Sequence, residues 1–115
     1  MVFAVTIIYP ATASFDFEYW LNTHIPMALK VWSGFGIREC KSIRYSGALD
    51  TSTLGGNLSL TGQRPYSYGA YLIWDSVEDF DKAINSEEAK PIHADSANFT
   101  DTLPILLTGD VVYAV

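Results

Sequence analysis

Cysteine is nearly absent. Cys40 stands alone, which excludes an internal disulfide and a metal centre built from thiolates. A lone thiol of this kind is ordinarily buried or at a strand edge and packs as a small apolar group. Cations are scarce too: seven Lys and Arg face thirteen Asp and Glu, a formal net charge of −6. A surface of that sign repels phosphate backbones, so no nucleic-acid partner is expected. No apolar run approaches the roughly 20 residues that a membrane helix needs, and no membrane partner is expected. The most apolar stretch, Val2 to Tyr9, is short, rich in β-branched residues and not preceded by basic ones, so it reads as a strand rather than a leader. The expected location is the cytoplasm. A P-loop, a G-x-G-x-x-G after a strand and a G-x-S-x-G are all lacking, which leaves nucleotide cofactors and serine hydrolysis without support.

What is present points to a folded globular chain. Its 115 residues are 49% hydrophobic and 14% aromatic, enough for one core and one domain over residues 1–115. The longest helical pattern runs from Ser14 to Gly34. Phe17, Leu21, His24, Ala28 and Val31 recur on one face of a 3.6-residue helix, with Trp20 and Met27 flanking and Tyr19, Asn22 and Lys30 pointing elsewhere. Ser14 is the expected N-cap, and Gly34 the expected left-handed residue after the last turn. Pro26 interrupts the pattern. It removes an amide and crowds the Asn22 carbonyl at a cost of about 3 kcal/mol, and it biases Ile25 away from helical geometry, so a kink beside His24 is expected.

The remaining elements follow in order. Residues 2–9 form a strand apolar on both faces, and 37–47 a more polar strand suited to an edge. Residues 48–65 are rich in Gly, Ser and Thr and long for a connection; a lid, a binding loop or a hairpin extension would account for them. Residues 66–74 form a third strand. Ser76 then caps a helix with Val77, Phe80 and Ile84 as its apolar stripe and Asn85-Ser86 at its end. A short helical stretch broken by Pro91 carries His93, Asp95 and Phe99, and 104–114 is the last strand. The order β-α-β-β-α-β with right-handed crossovers is a ferredoxin-like α+β sandwich, two helices on one face of a four-stranded sheet. Strands one, three and four are apolar on both faces, however. A second copy packed sheet against sheet would cover the other face, so a homodimer is expected.

His24 is the sharpest chemical candidate. An imidazole titrates near neutrality and can take a proton beside a carbonyl or hydroxyl and return it elsewhere, without a cofactor. The plainer alternative is a core histidine satisfied by carbonyls freed at the kink. His93 is second, either another acid/base or a surface residue of an H-x-D pair, with Asp95 too close in sequence to be an assured partner for it. Tyr9, Tyr45, Tyr66, Tyr68, Tyr71, Trp74 and Phe99, with Trp20, are many aromatics for so few strands. They would suit a flat, mostly apolar ligand, or else fill core and interface. Strand alternation places Tyr9, Ile7 and Val5 on one face of the first strand, and Tyr71 and Ile73 together on the third. A metal would need His24, His93 and a carboxylate to converge, and neither a metal nor another cofactor is expected.

Two segments carry a resemblance. F-D-F-E-Y-W-L-N-T-H-I-P, Phe15 to Pro26, and H-A-D-S-A-N-F-T-D, His93 to Asp101, resemble the EthD family of dimeric α/β-barrel proteins in its aromatic approach to H-x-P and its D-x-x-N-F-T-D segment. The resemblance spans most of the chain apart from residues 48–65. It implies a ferredoxin-like dimer with a pocket between sheet and helices, and His24 as the catalytic candidate. A looser similarity to small polyketide cyclases of related barrels points to His93. Neither resemblance implies a particular reaction. The reading is therefore a cofactor-free lyase, cyclase or isomerase acting on a small aromatic or polyketide-like compound. Tyr9, Tyr45, Tyr71, Trp74, Trp20 and Phe99 are its candidate substrate contacts. The alternatives are a non-catalytic dimer that binds a hydrophobic metabolite, a cofactor-independent oxygenase, or a purely structural dimer.

Overall fold

The structure, a computed structural model, describes residues 1–50 and 59–114. Its centre is β1 (Phe3–Pro10), whose alternating side chains divide it into two faces. Phe3, Val5 and Tyr9 are buried beneath the helices, with Ile7 packed beside them. Ala4, Thr6 and Ile8 occupy the opposite face. β1 pairs antiparallel with β5 (Tyr66–Trp74) on one side, matching Phe3 to Trp74, Val5 to Leu72 and Ile7 to Ala70. On its other side it pairs with β6 (Ile105–Asp110), matching Val5 to Thr108 and Ile7 to Leu106. β2 (Ile37–Arg44) completes the sheet against β5, giving the order β2-β5-β1-β6. This is the ferredoxin-like α+β arrangement expected from the order of elements.

β3 (Ala48–Asp50) and β4 (Ser59–Thr61) pair separately as a hairpin with Leu49 opposite Leu60. Of the three readings of residues 48–65, the described part is thus the hairpin extension; 51–58 lie outside the described residues. The last strand ends at Asp110 rather than Ala114, and the second at Arg44 rather than Gly47.

The first helix departs from expectation in an instructive way. Its N-cap is Asp16, not Ser14: the Asp16 carboxylate accepts from the Tyr19 amide at 3.1 Å, while the Ser14 amide donates to Asp101 Oδ1 at 2.9 Å. α1 (Phe17–Tyr19) passes through a π-helical turn (Trp20–His24) into α2 (Ile25–Trp32). Pro26 therefore neither breaks the helix nor displaces Ile25, which keeps φ −59° and ψ −49°. The widened turn, with the Ile25 amide bonding five residues back to Trp20, inserts one residue into the helical register ahead of the proline.

That insertion moves the inward stripe. The buried residues are Trp20, His24, Ala28 and Trp32, spaced by four, and Leu21 faces out. The left-handed glycine is also displaced: Gly36, not Gly34, has φ +93°. The Asp75 amide bonds to the Gly36 carbonyl at 2.9 Å, and a Cβ at Gly36 would run into the Asp79 side chain.

α3 (Val77–Ile84) starts at Ser76, whose side chain accepts from the Asp79 amide at 3.1 Å, and ends at Asn85 as expected. Val77 is exposed, and Ala83 takes the buried place on its stripe. A 3₁₀ turn (Glu87–Ala89) leads into α4 (Lys90–Asp95), where Pro91 sits in the first turn and costs no hydrogen bond. A second 3₁₀ turn (Ser96–Asn98) follows. Among the described residues, no helix is long and apolar enough to cross a membrane.

Candidate functional site

His24 projects from the end of the π turn into the layer between sheet and helices, with 8% of its surface exposed. Its Nδ1 lies 2.9 Å from Asp95 Oδ2. Asp95, at the end of α4, is equally buried, and its other oxygen accepts from the Tyr19 hydroxyl at 2.5 Å and the Asn98 amide at 2.9 Å. Burial alone would push this carboxyl up. The hydrogen bonds from Tyr19, Asn98 and His24, with the attraction of the imidazole, outweigh it and hold Asp95 below the usual carboxylate range. Asp95 is therefore ionised and can only accept. His24 Nδ1 must then carry the proton, and Nε2 of the neutral ring keeps its lone pair. The same carboxylate pushes the Tyr19 phenol up, so Tyr19 stays a donor. Phe99 lies against the imidazole with ring centres 4.5 Å apart.

The two chain segments that hold this group are bound to each other along their length. The Asp16 amide donates to the Phe99 carbonyl at 2.8 Å, Phe15 bridges to Thr100, and the Ser14 amide reaches Asp101. The acidic and amide side chains of D-S-A-N-F-T-D thereby divide between two ends of the site. Asp95 and Asn98 build the histidine's partner, and Asp101 anchors the start of the first helix. Asp101 is also held below the usual range, chiefly by the Thr102 hydroxyl and the Ser14 amide.

His24 borders a cleft of about 770 Å³, within the range of small-molecule sites. Its floor is the helix-facing side of β1 and β6, including Val5, Ile7, Tyr9 and Leu106. Its walls come from α2, α3 and α4 and from residues 96–104. A smaller void of about 30 Å³ lies behind, bordered by Tyr9, Trp20, His24, Trp32 and Cys40 among others. Burial raises the Cys40 thiol's pKa, which keeps it an inert packing group.

The sequence candidates are thus dispersed. Tyr9 borders the cleft with His24, Trp20 borders the small void, and Phe99 backs the imidazole. His93 is exposed at the cleft's side and donates Nε2–H to the Ile84 carbonyl at 3.0 Å; its neighbour in sequence, Asp95, serves His24 instead. Trp74 is fully buried against Trp32 and Phe80. Tyr71 pairs with Thr6 and Lys41 on the opposite sheet face, and Tyr45 lies against Gly69. These three are absent from the cleft lining among the described residues. The residues that sequence reasoning missed are Asp95 as partner of His24, with Tyr19 and Asn98 behind it. The signal was available in part, since Asp95 and Asn98 are two of the five fixed positions of the D-x-x-N-F-T-D segment.

Comparison with known proteins agrees with this architecture. No curated protein matches the chain. An EthD-like protein from Ralstonia eutropha JMP134 superposes with a TM-score of 0.76 at 25% identity, covering 97% of this chain and 93% of that one. An EthD family protein from Bacillus halodurans C-125 gives 0.72 at 22% identity, covering 97% and 100%. SnoaB, a cofactor-independent oxygenase from Streptomyces nogalater, shares the fold at 0.64 and 10% identity, covering 99% and 95%. The model of the EthD domain matches residues 9–103. With the paired histidine segment, the sheet order and this match in agreement, the chain belongs to the EthD family.

Proposed function

We propose that this protein is a cofactor-free acid/base enzyme acting on a small, mostly apolar aromatic carbonyl compound, with His24 as the proton-transferring residue. One observation carries the reading: a buried carboxylate, satisfied by three donors, fixes the tautomer and direction of an imidazole that borders a ligand-sized cleft. A core histidine serving only stability would gain nothing from standing beside open volume. Asp95 acts as the positioning residue. It holds Nδ1–H, stabilises the imidazolium once the proton has been taken, and remains ionised throughout. Tyr19 and Asn98 keep the carboxylate in place. Phe99 and the apolar floor exclude water from one side of the ring, and His93, at the cleft's side, orients ligand.

Abstraction of a proton next to a carbonyl is the step common to lyase, cyclase and isomerase outcomes, and it can be read without knowing the natural substrate. The wild type should catalyse exchange of the α-hydrogens of 2-tetralone for deuterium in D₂O, followed by proton NMR. His24→Gln should reduce that exchange at least about 10²-fold while leaving the circular-dichroism spectrum unchanged. Exchange that is equal in the variant would overturn the assignment of His24. A wild type that binds 2-tetralone without exchanging it would favour the non-catalytic binder.

The working unit in this proposal is a homodimer of one-domain chains covering residues 1–115. Ile8, Tyr71, Ile73, Ile105 and Leu107 share the sheet face away from the helices by strand register. Leu107 is 58% exposed there. Burying such a face needs a partner, and a second copy offers a matching one. Leu107→Lys should shift the sedimentation coefficient to that of a monomer; a wild type that already sediments as a monomer would exclude the dimer.

A further inference from the structure

Five residues border both the cleft and the small void behind it: Ile7, Tyr9, His24, Trp32 and Leu72. Three of them carry a polar group. The Trp32 indole N–H is sealed away from accessible space, which leaves His24 and Tyr9 as the polar pair at this end of the cleft. Tyr9 is only 5% exposed. Its ring is wedged between Phe15, Trp20 and Phe99, with centroid separations of 4.9, 6.3 and 5.9 Å. Phe99 also packs on His24, so one side chain fixes both rings relative to each other.

The Tyr9 hydroxyl has no hydrogen-bond partner among the described residues, and burial by itself accounts for its pKa being pushed up to about 12. At neutral pH it is a protonated donor with nothing to donate to. Unlike the Trp32 indole N–H, it is not among the sealed atoms, so an acceptor bound in the cleft can receive it. The cleft lining contains no Lys or Arg among the described residues, so negative charge developing on a ligand needs a neutral donor. The other hydroxyls of the lining, on Ser96, Thr100, Thr102 and Thr108, lie away from the small void that Tyr9 shares with His24; Thr100 donates to the Thr102 carbonyl at 3.5 Å, and Thr102 to Asp101 at 2.9 Å.

Resting on the acid/base reading of His24, we infer that the Tyr9 hydroxyl is the catalytic hydrogen-bond donor to the substrate's carbonyl oxygen as the enolate forms. The step balances without a further reactant. His24 Nε2 takes the α-proton, the C–H electron pair becomes the C=C bond, and the carbonyl π pair moves onto oxygen. Tyr9 keeps its proton and donates a hydrogen bond to that oxygen. Return of the proton from the imidazolium, to the same carbon or to a conjugated one, regenerates the histidine. A preorganised donor that strengthens as charge develops lowers the barrier rather than merely tightening binding.

The test uses 2-naphthol, whose anion has the shape and charge of the 2-tetralone enolate, with naphthalene as the oxygen-free control. The wild type should bind 2-naphthol largely as the naphtholate, read from its absorption and emission. Tyr9→Phe should bind naphthalene as the wild type does but 2-naphthol about 10²-fold more weakly. For 2-tetralone exchange the same variant should lose kcat by a comparable factor with KM little changed. Retained naphthalene binding shows that the cleft is intact in the variant. If Tyr9→Phe binds and ionises 2-naphthol as the wild type does, the Tyr9 assignment is wrong and His24 stands. If the wild type binds 2-naphthol only in its neutral form, or not at all, the His24 reading fails and takes the Tyr9 role with it.

Discussion

The two histidines of this chain end up in opposite circumstances, although both sit on helices beside the same cleft. His24 is enclosed, its ring held by a buried ionised carboxylate on one side and a phenyl ring on the other. His93 is exposed and spends a ring N–H on the last carbonyl of α3. The difference lies in what surrounds each ring. An imidazole in water is free to turn and changes protonation without affecting its neighbours. One fixed by a carboxylate that itself receives three hydrogen bonds has a single tautomer and a single direction. The first kind of site is a surface; the second is the arrangement that the proposed proton transfer needs.

The sharpest way to test that contrast is to remove each ring. His24→Gln should reduce α-proton exchange of 2-tetralone by about 10²–10⁴-fold, measured by NMR at saturating ketone. Next in size is the partner carboxylate. Asp95→Asn leaves the shape intact but offers an amide that need not fix the tautomer, and exchange should fall on the order of 10²-fold or more. The same substitution should change the acid limb of the stability curve. Asp95 titrates below its ordinary value of 3.8 in the folded chain. Its contribution is therefore present above about pH 4 and lost as pH falls through the folded value. Urea melts at a series of acidic pH values should show that loss in the wild type and much less of it in Asp95→Asn.

Tyr9 sharpens the comparison from the alkaline side. Its pKa rises from 10.0 to about 12 on burial, so its contribution is complete below pH 10 and lost as pH climbs through the folded value. A loss of roughly 2–3 kcal/mol across that range should be visible in alkaline melts of the wild type and missing from Tyr9→Phe. The smallest effect belongs to His93. His93→Ala removes one exposed N–H···O=C bond, worth about 1 kcal/mol. It should raise KM for 2-tetralone a few-fold with kcat unchanged. A large kcat loss would place the second histidine in the chemistry after all and erase the distinction drawn between the two.

Much of the fold was readable because its signals are local. The β-branched run 2–9, the Ser76 cap with its stripe at Phe80 and Ile84, and the aromatic strand 66–74 each announce themselves within ten residues. The first helix was readable only in outline. Its period was counted at 3.6, and the π turn before Pro26 inserts a residue, which moves Leu21 out and Trp32 in. No count of spacing reveals such an insertion, since it is the response of a backbone to a proline in a packed environment. Likewise Ser14 is the cap that the sequence offers, with Asp16 two residues further on. Only the bridge between Phe15 and Thr100 decides that Asp16 caps its own helix while Asp101 reaches across to Ser14.

The amino-acid sequence by itself determined the order of elements, the family and the presence of an inward imidazole beside a proline, because periodicity, capping and a pair of short motifs are written into neighbouring residues. Tertiary structure alone decided that Asp95 serves His24 rather than His93, that Tyr19 turns inward to complete the carboxylate's partners, and that Tyr9, not Tyr45 or Tyr71, stands in the cleft. Those choices depend on which residues, 71 or 76 positions apart, meet across the sandwich. Hydrogen-bond satisfaction at a buried charge is a property of that meeting, and no single segment contains it.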